Sequence, residues 1–400
     1  QELMDNIGDN IFFKDRDSKF IMINRANARF FGLDDPKDAV GLDDFAFFSE
    51  EHARRQLDEE QRIMRTGEAI VGEEQFSEHE GGTGWGSVTK VPLRDKEGNI
   101  IGTMGIGRDI TELKTKERTL NEAHEQMAED LRMAAKLQQT FLPQRYPSFE
   151  DASGRPLIRF HHHYEAQVEL GGDFCSVYRL DDNRAGLLIC DVMGHGVRAA
   201  LVTGIIYVIA DELAHQSGSP GEFLTALNKR LAPVLHTGGE LMFATAAYFT
   251  IDVSSGALEG AVAGHSAPLL IQPQIGRVSP LEAASKAKGP ALAIVEDFAY
   301  PTVSALLRPG DELLMYTDGI FEAMNSSSRE FGEEHLRETI EDYKQLPLQL
   351  LVPRVVEVVR EHAGSTKLGD DVCILGFKLE GTRETTPGHE ETATRPSCGS

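Results

Sequence analysis

A small set of aspartates stands where a stable core has no use for charge. Asp173 follows Gly171-Gly172, and Asp191 closes an apolar run and leads into Val192-Met193-Gly194-His195-Gly196. Asp318 closes a second run, Leu313-Leu314-Met315-Tyr316-Thr317, before Gly319, while Asp370 and Asp371 precede the apolar Val372-Cys373-Ile374-Leu375. Each falls at the end of a core strand, beside glycine or a turn. Two like charges about 4 Å apart repel by roughly 4 kcal/mol at an effective dielectric of 20. Convergence is tolerable only if some carboxyls are protonated or if cations sit between them. A donor set made wholly of oxygen selects hard ions such as Mg²⁺ or Mn²⁺ over Zn²⁺.

The histidines and cysteines add less. His195, four residues after Asp191 at a helix start, is a candidate proton donor to a leaving alkoxide; a structural hydrogen bond is the plainer reading. His265, in AGHSAP, reads as a turn-ordering residue. His161, His162 and His163 lie on one strand, so they alternate faces and cannot converge on a metal. His52, beside Glu51, Arg54 and Arg55, reads as solvated rather than as a haem ligand. Cys175, Cys190, Cys373 and Cys398 form no C-x-x-C pair, and the first three lie in apolar stretches as buried thiols.

The elements that must position these residues fall into two blocks. Residues 11–14 and 19–24 are strand-like across the polar turn Asp15-Arg16-Asp17-Ser18. A short helix over 24–31 closes at Gly32, and Ser49 caps a longer one ending at Gly67. Strands follow over 69–76, 85–93 and 100–108, the last two joined by the hairpin signal Asp95-Lys96-Glu97-Gly98-Asn99. This predicts a five-stranded antiparallel sheet with helices, an α+β arrangement. From 112 to 143 there is no glycine and no proline before Pro143. Leu113, Leu120, Met127, Ala134 and Phe141 recur every seven residues, with Ala123 and Leu137 between them, the pattern of a modest coiled coil between two protomers. Beyond about 155, strand pairs alternate with two-helix blocks (197–215 with 220–235, and 332–342 with 348–362), which predicts an α/β/β/α sandwich. Residues 381–400 carry no core pattern and read as a disordered tail.

The first block resembles the PAS family of sensor domains, in NIFFKDRDSKFIMINRANARFFG, KVPLRDKEGNIIGTMGIGRDIT and the closing Asp109-Ile110-Thr111. The reactive cysteine of flavin-binding light sensors has no counterpart here, and the resemblance names no PAS ligand. The second block, from about Ala135 to Phe377, resembles the PPM family of metal-dependent protein phosphatases, in the bacterial branch named after stage II sporulation protein E. The motifs are AAKLQQTFLPQ, ELGGDF, ICDVMGHGVRAALVTG, MFATAAYFTID, AGHSAPLL, LLRPGDELLMYTDGIFEA and GDDVCIL.

This resemblance implies that Asp191 bridges two Mn²⁺ or Mg²⁺ ions, that the Val192 carbonyl ligates one, and that Asp318 and Asp370 hold the second. Asp173 binds metal or orients its water, and Asp371 is held in reserve for Asp370. The implied chemistry is attack on phosphoserine or phosphothreonine by a water activated between the two cations. The phosphate-binding arginine of eukaryotic relatives has no counterpart near residues 164–169, and Cys373 replaces the usual threonine. The implied substrate is an anti-anti-sigma-type regulatory protein. An unrelated phosphoprotein, or an inactive phosphatase fold that merely relays the sensor's state, are the alternatives.

The 400 residues are too long for one ordinary core, and the divisions expected are a sensor over 1–112, a helical linker over 113–150, a phosphatase over 151–380 and the tail. Hydrophobic residues at 40% and charged residues at 26% are ordinary for a globular protein. A formal net charge of -24 argues against nucleic acid as partner. No signal-peptide pattern opens the chain, and the longest apolar stretch, 201–210, is half a membrane span. A cytoplasmic homodimer is therefore expected, joined through the sensor and linker. The linker's end, Ala134 to Pro143, is expected to grip the 197–215 helix.

Overall fold

The computed structural model describes residue 4 and residues 6–79, 82–236 and 242–382. Contacts divide the chain into two compact units, Gln1–Ala128 and Glu129–Ser400. The expected tail lies outside the described residues except for Gly381 and Thr382. Among the described residues, no helix is long and apolar enough to cross a membrane.

The first unit contains β1 (Asn10–Lys14), β2 (Phe20–Ile23), α1 (Arg25–Phe30), α2 (Glu50–Thr66), β3 (Ile70–His79), β4 (Gly82–Arg94) and β5 (Ile100–Asp109). The strands form one antiparallel sheet in the order β2-β1-β5-β4-β3. Local chemistry sets the boundaries. The buried Asn24 side chain accepts from the amides of Asn27 and Ile11, capping α1 and tying it to β1. Ser49 caps α2, worth about 1 kcal/mol, and Gly67 ends it at φ 74°, a left-handed geometry that favours glycine. The Asp95 side chain accepts from the amides of Glu97 and Asn99 and folds the β4–β5 turn. Phe20, Phe31 and Phe47 centre the core, with the last two rings stacked at 4.1 Å.

α3 (Thr111–Gln138) runs from the first unit into the second. It was expected to continue to Pro143, but it ends at Gln138 and tightens into a 3₁₀ turn over Gln139–Phe141. The residue before a proline disfavours helical ψ, and Leu142 is extended at ψ 153°. Leu113, Leu120 and Met127 are exposed along the helix at 62%, 57% and 60%, an apolar row without cover in the single chain. Phe141, assigned to the same row, instead turns inward and stacks on Tyr207 at 5.0 Å.

The second unit holds two five-stranded antiparallel sheets. The first has the order β13-β10-β9-β8-β7, from β7 (Asp173–Arg179), β8 (Arg184–Val192), β9 (Ala244–Asp252), β10 (Ala257–Ala263) and β13 (Val303–Leu306). The second has the order β12-β11-β14-β15-β6, from β6 (Ile158–Glu165), β11 (Leu269–Gln272), β12 (Arg277–Pro280), β14 (Glu312–Tyr316) and β15 (Val372–Leu379). Leu187, Ile189, Phe249, Leu313, Leu375 and Phe377 fill the space between them. α4 (Val197–Ala214) and α5 (Pro220–Leu235) cover the first sheet, and α7 (Glu333–Tyr343) and α8 (Leu348–Ala363) cover the second. Four layers result, the α/β/β/α sandwich. β12 and the short α6 (Glu282–Lys286) were not anticipated, because Val278 is the one fully buried residue of β12 and four residues show no period.

Candidate active site

The acidic residues gather where strand ends from both sheets meet. β7 and β8 pair with Asp173 directly opposite Asp191. From the other sheet, β14 delivers Thr317 and the single 3₁₀ turn Asp318–Ile320, and the loop into β15 delivers Asp370 and Asp371. One hydroxyl stitches the sheets together. Thr317 Oγ1 donates to Asp173 Oδ2 at 2.6 Å and accepts from the Cys373 amide at 2.8 Å.

Glycines let these segments approach. A Cβ on Gly172 would meet the carbonyl oxygens of Val192 and Gly194 at 2.5 and 2.9 Å, and one on Gly319 would meet the Asp371 carbonyl at 2.0 Å. Both contacts are with backbone, which cannot swing aside.

The two neighbouring aspartates of the β15 loop differ. Asp371 is buried, its Oδ1 accepting from the Gln167 amide at 2.7 Å and its Oδ2 from the Gly172 amide at 2.6 Å. Asp370 is exposed. The buried carboxylate therefore spends both oxygens on backbone amides, whereas exposed Asp370 spends one, its Oδ1 accepting from the Asp371 amide at 2.8 Å.

Burial and mutual repulsion dominate the electrostatics. Burial first, then the charges of Asp318, Asp370, Asp371 and Glu322, push Asp191 up to about 7. Asp173 is driven well above the usual carboxylate range by burial and by Asp191, against the opposing Thr317 bond. Asp318 is raised by burial and then by Asp370. Burial raises Asp371 too, although the Gln167 and Gly172 amides and the nearby His195 oppose the shift. Among the described residues, no three acidic, histidine or cysteine side chains stand ready to close on one point as metal ligands. The donor set nonetheless fits a hard divalent cation: it is all oxygen, it carries like charges that raise one another's pKa, and it borders two convergent carbonyls. Two participants escaped the sequence reading. Glu322 lies one turn beyond Asp318, its amide donating to the Asp318 carbonyl at 2.8 Å; the spacing of four was the available signal. Thr317 carried no signal beyond its place at a strand end.

The remaining histidines stand apart. His195 is exposed at the start of α4. His265 is buried, its Nδ1 2.7 Å from Thr245 Oγ1, and burial pushes it down to about 4, so it is neutral at physiological pH. His161, His162 and His163 are part-buried along β6, and His162 is engaged by the Tyr146 hydroxyl. Cys175, Cys190 and Cys373 are buried free thiols; Cys398 lies outside the described residues.

A second candidate site lies inside the N-terminal unit, a cavity of about 370 Å³ lined in part by Phe12, Phe20, Phe30, Phe31 and Phe48. That volume falls in the range of small-molecule pockets, about 300–1,000 Å³. Buried Lys14 pairs there with Asp44 and Glu60, and burial raises the Glu60 carboxyl. His52, expected to be solvated, is half-buried at this cavity. Its ring lies 4.6 Å from that of Phe48, and the Arg55 guanidinium and Gln56 carboxamide nitrogens lie 3.1 Å from its two ring nitrogens, of which a neutral ring can accept at only one.

Comparison with known proteins places both units. The family model described as Stage II sporulation protein E (SpoIIE) matches residues 181–380, and that of the PAS fold matches residues 4–115. Phosphoserine phosphatase RsbP of Bacillus subtilis (strain 168) is 27% identical over 247 residues, covering 62% of this chain and 57% of RsbP. Phosphoserine phosphatase RsbU of the same organism is 25% identical over 241 residues, 60% of this chain and 67% of RsbU. The SiaA-PP2C domain of Pseudomonas aeruginosa superposes with a TM-score of 0.53 at 21% identity, covering 64% of this chain and 98% of that domain, a likeness of fold. This chain thus spans little more than half the length of RsbP.

Proposed function

Because the chain belongs to the stage II sporulation protein E (SpoIIE) family, we propose that it is a metal-dependent protein phosphatase acting on phosphoserine or phosphothreonine in a regulatory protein. The observation that carries this reading is Asp173 opposite Asp191, with Asp318 and Asp370 brought beside them from the other sheet. An inert relay has no use for buried carboxylates that add their charges to one another, with burial and those charges pushing Asp191 up to about 7. Asp191 and the Val192 carbonyl would hold one Mn²⁺ or Mg²⁺, Asp191 would be shared with a second held by Asp318 and Asp370, and Asp173 would bind metal or orient water. When bound, the cations acidify a water and offset charge on the phosphoryl oxygens. The chain's own groups do the rest. Thr317 fixes the Asp173 carboxylate, Asp371 pins the Gly172 and Gln167 amides, and exposed His195 would be the proton donor to a leaving alkoxide.

An anti-anti-sigma-type domain carrying phosphoserine is the substrate proposed; RsbP and RsbU, to which the chain is similar, are phosphoserine phosphatases. Within this reading the sensor occupies residues 1–112, the linker 113–150 and the catalytic domain 151–380, in a cytoplasmic protein. Hydrolysis of p-nitrophenyl phosphate and of a phosphoserine-bearing substrate domain is expected with Mn²⁺ or Mg²⁺ and not after EDTA treatment. Hydrolysis that survives EDTA, or none with either metal, overturns the assignment.

The bare row Leu113, Leu120 and Met127 supports a homodimer formed along α3. Sedimentation at micromolar concentration is expected to show a dimer that Leu120→Glu with Met127→Glu converts to monomer. A wild-type monomer removes the idea.

A further inference from the structure

α3 exposes Leu137 at 67% and buries its neighbour Gln138 to 7%, the reverse of what an amphipathic helix does. A buried carboxamide must be satisfied, and this one spends both ends on a single residue. Its Nε2 donates to the Gly171 carbonyl at 2.6 Å, and its Oε1 accepts from the Gly171 amide at 3.3 Å, as a neighbouring strand would. A side chain on Gly171 would displace the Asp371 carboxylate, because its Cβ would meet the Tyr164 hydroxyl at 2.5 Å and Asp371 Oδ2 at 2.7 Å. The next peptide is held as firmly. The Gly172 amide donates to Asp371 Oδ2 at 2.6 Å, and the Gly172 carbonyl accepts from Thr203 Oγ1 at 3.1 Å and from the Val192 amide at 3.3 Å. The residue after that is Asp173.

We infer that Gln138 is a positioning residue for the phosphatase reaction: its carboxamide fixes the Gly171 peptide and thereby the spacing among Asp173, the Asp371 pin and the Val192 segment. This deepens the metal-dependent phosphatase reading and rests on it. Gln138 touches no reacting atom; it acts through two peptide groups. Because it is also the last residue of α3, any change that unwinds or turns that end draws the carboxamide off Gly171. The expected route from linker to site therefore has a hydrogen-bonded branch beside the Phe141–Tyr207 stack.

The test uses the full chain with Gln138→Met, which keeps the volume and removes both hydrogen bonds. Gln138→Glu keeps the acceptor and loses the donor, and Leu137→Ala serves as a control on the same turn. Mn²⁺ affinity is read directly from the electron paramagnetic resonance of free Mn²⁺, and the Gly171 amide by hydrogen exchange. Gln138→Met is expected to bind Mn²⁺ about 10–100-fold more weakly, the scale for residues that orient metal ligands. Its Gly171 amide should exchange faster, while kcat at saturating Mn²⁺ stays near wild type and Leu137→Ala changes neither. Gln138→Glu, which sets a carboxylate oxygen against the Gly171 carbonyl, should weaken binding at least as much, and it decides the matter if the methionine variant does not fold. Unchanged Mn²⁺ affinity in the folded variants, or a lowered melting temperature with no change in affinity, overturns the inference. Wild type that binds Mn²⁺ yet hydrolyses no phosphate refutes the functional reading instead, since affinity and exchange still report on the clamp.

Discussion

Asp191→Asn is expected to abolish hydrolysis and, at the same time, to make the metal-free protein more stable. The two effects share a cause. Asp191 sits directly across from Asp173 and feels Asp318, Asp370, Asp371 and Glu322, an arrangement poised for a cation and strained without one. Losing a charge-stabilising group at a reaction centre costs about 10²–10³ in rate or more. The stability effect follows from linkage. The Asp191 carboxyl titrates at about 7 in the folded chain against 3.8 ordinarily, so the folded state holds the proton more tightly than the unfolded state does. That contribution is fully present below about pH 4 and is lost as pH rises to about 7. Metal-free wild type should therefore lose stability across that window, and Asp191→Asn should lose less. The gap between their melting temperatures should widen from pH 5 to pH 8, by roughly 2–4 °C for each kcal/mol of relieved repulsion. Scanning calorimetry in EDTA at the two pH values checks this, alongside initial rates with Mn²⁺. A variant less stable than wild type at pH 8, or one still active, contradicts the assignment.

The adjacent pair in the β15 loop should separate just as clearly. Asp370→Asn is expected to remove activity on the same scale without lowering the melting temperature of the metal-free protein, because Asp370 is exposed and its charge adds to the repulsion on Asp191 and Asp318. Asp371→Asn should do the opposite. An amide offers one acceptor where the carboxylate offered two, so either the Gln167 or the Gly172 N–H loses its partner. Leaving a buried donor unpaired costs about 1–3 kcal/mol, and the activity lost should follow that loosening, mostly regained at high Mn²⁺. Should Asp371→Asn be inactive at full stability and Asp370→Asn harmless, the ligand is Asp371 and the register assigned to the loop is wrong by one residue.

Features whose cause is local were legible in the sequence. Ser49 and Gly67 bound α2 because capping and left-handed closure depend on single residue types, and Asp95 with Gly98 specifies a turn by itself. The aspartates stood out because each interrupts an apolar run. Partnerships made across long stretches of chain were illegible. Lys14 and Lys90 lie on strands, where lysine ordinarily marks a solvent face, yet both are buried against Glu60 and Glu59 of α2. Gln138 looked like one more polar residue in a helix rich in them, because its partner lies 33 residues on. Asp370 and Asp371 read alike in sequence. What distinguishes them is which one the Gln167 and Gly172 amides reach, some two hundred residues away along the chain.

The place of β15 in its sheet carries a consequence in time. It is the last strand in sequence among the described residues, yet it lies between β14 and β6, the first strand of the same unit. On the ribosome, Asp173, Asp191 and Asp318 emerge well before Asp370 and the strand behind it, and pairing over such a separation is slow to form. Until β15 inserts, β6 lacks its neighbour, Thr317 lacks the Cys373 amide and the second sheet is open at its middle. A chain cut before β15 would therefore lack the strand that joins β14 to β6 and the amide that holds the Thr317 hydroxyl.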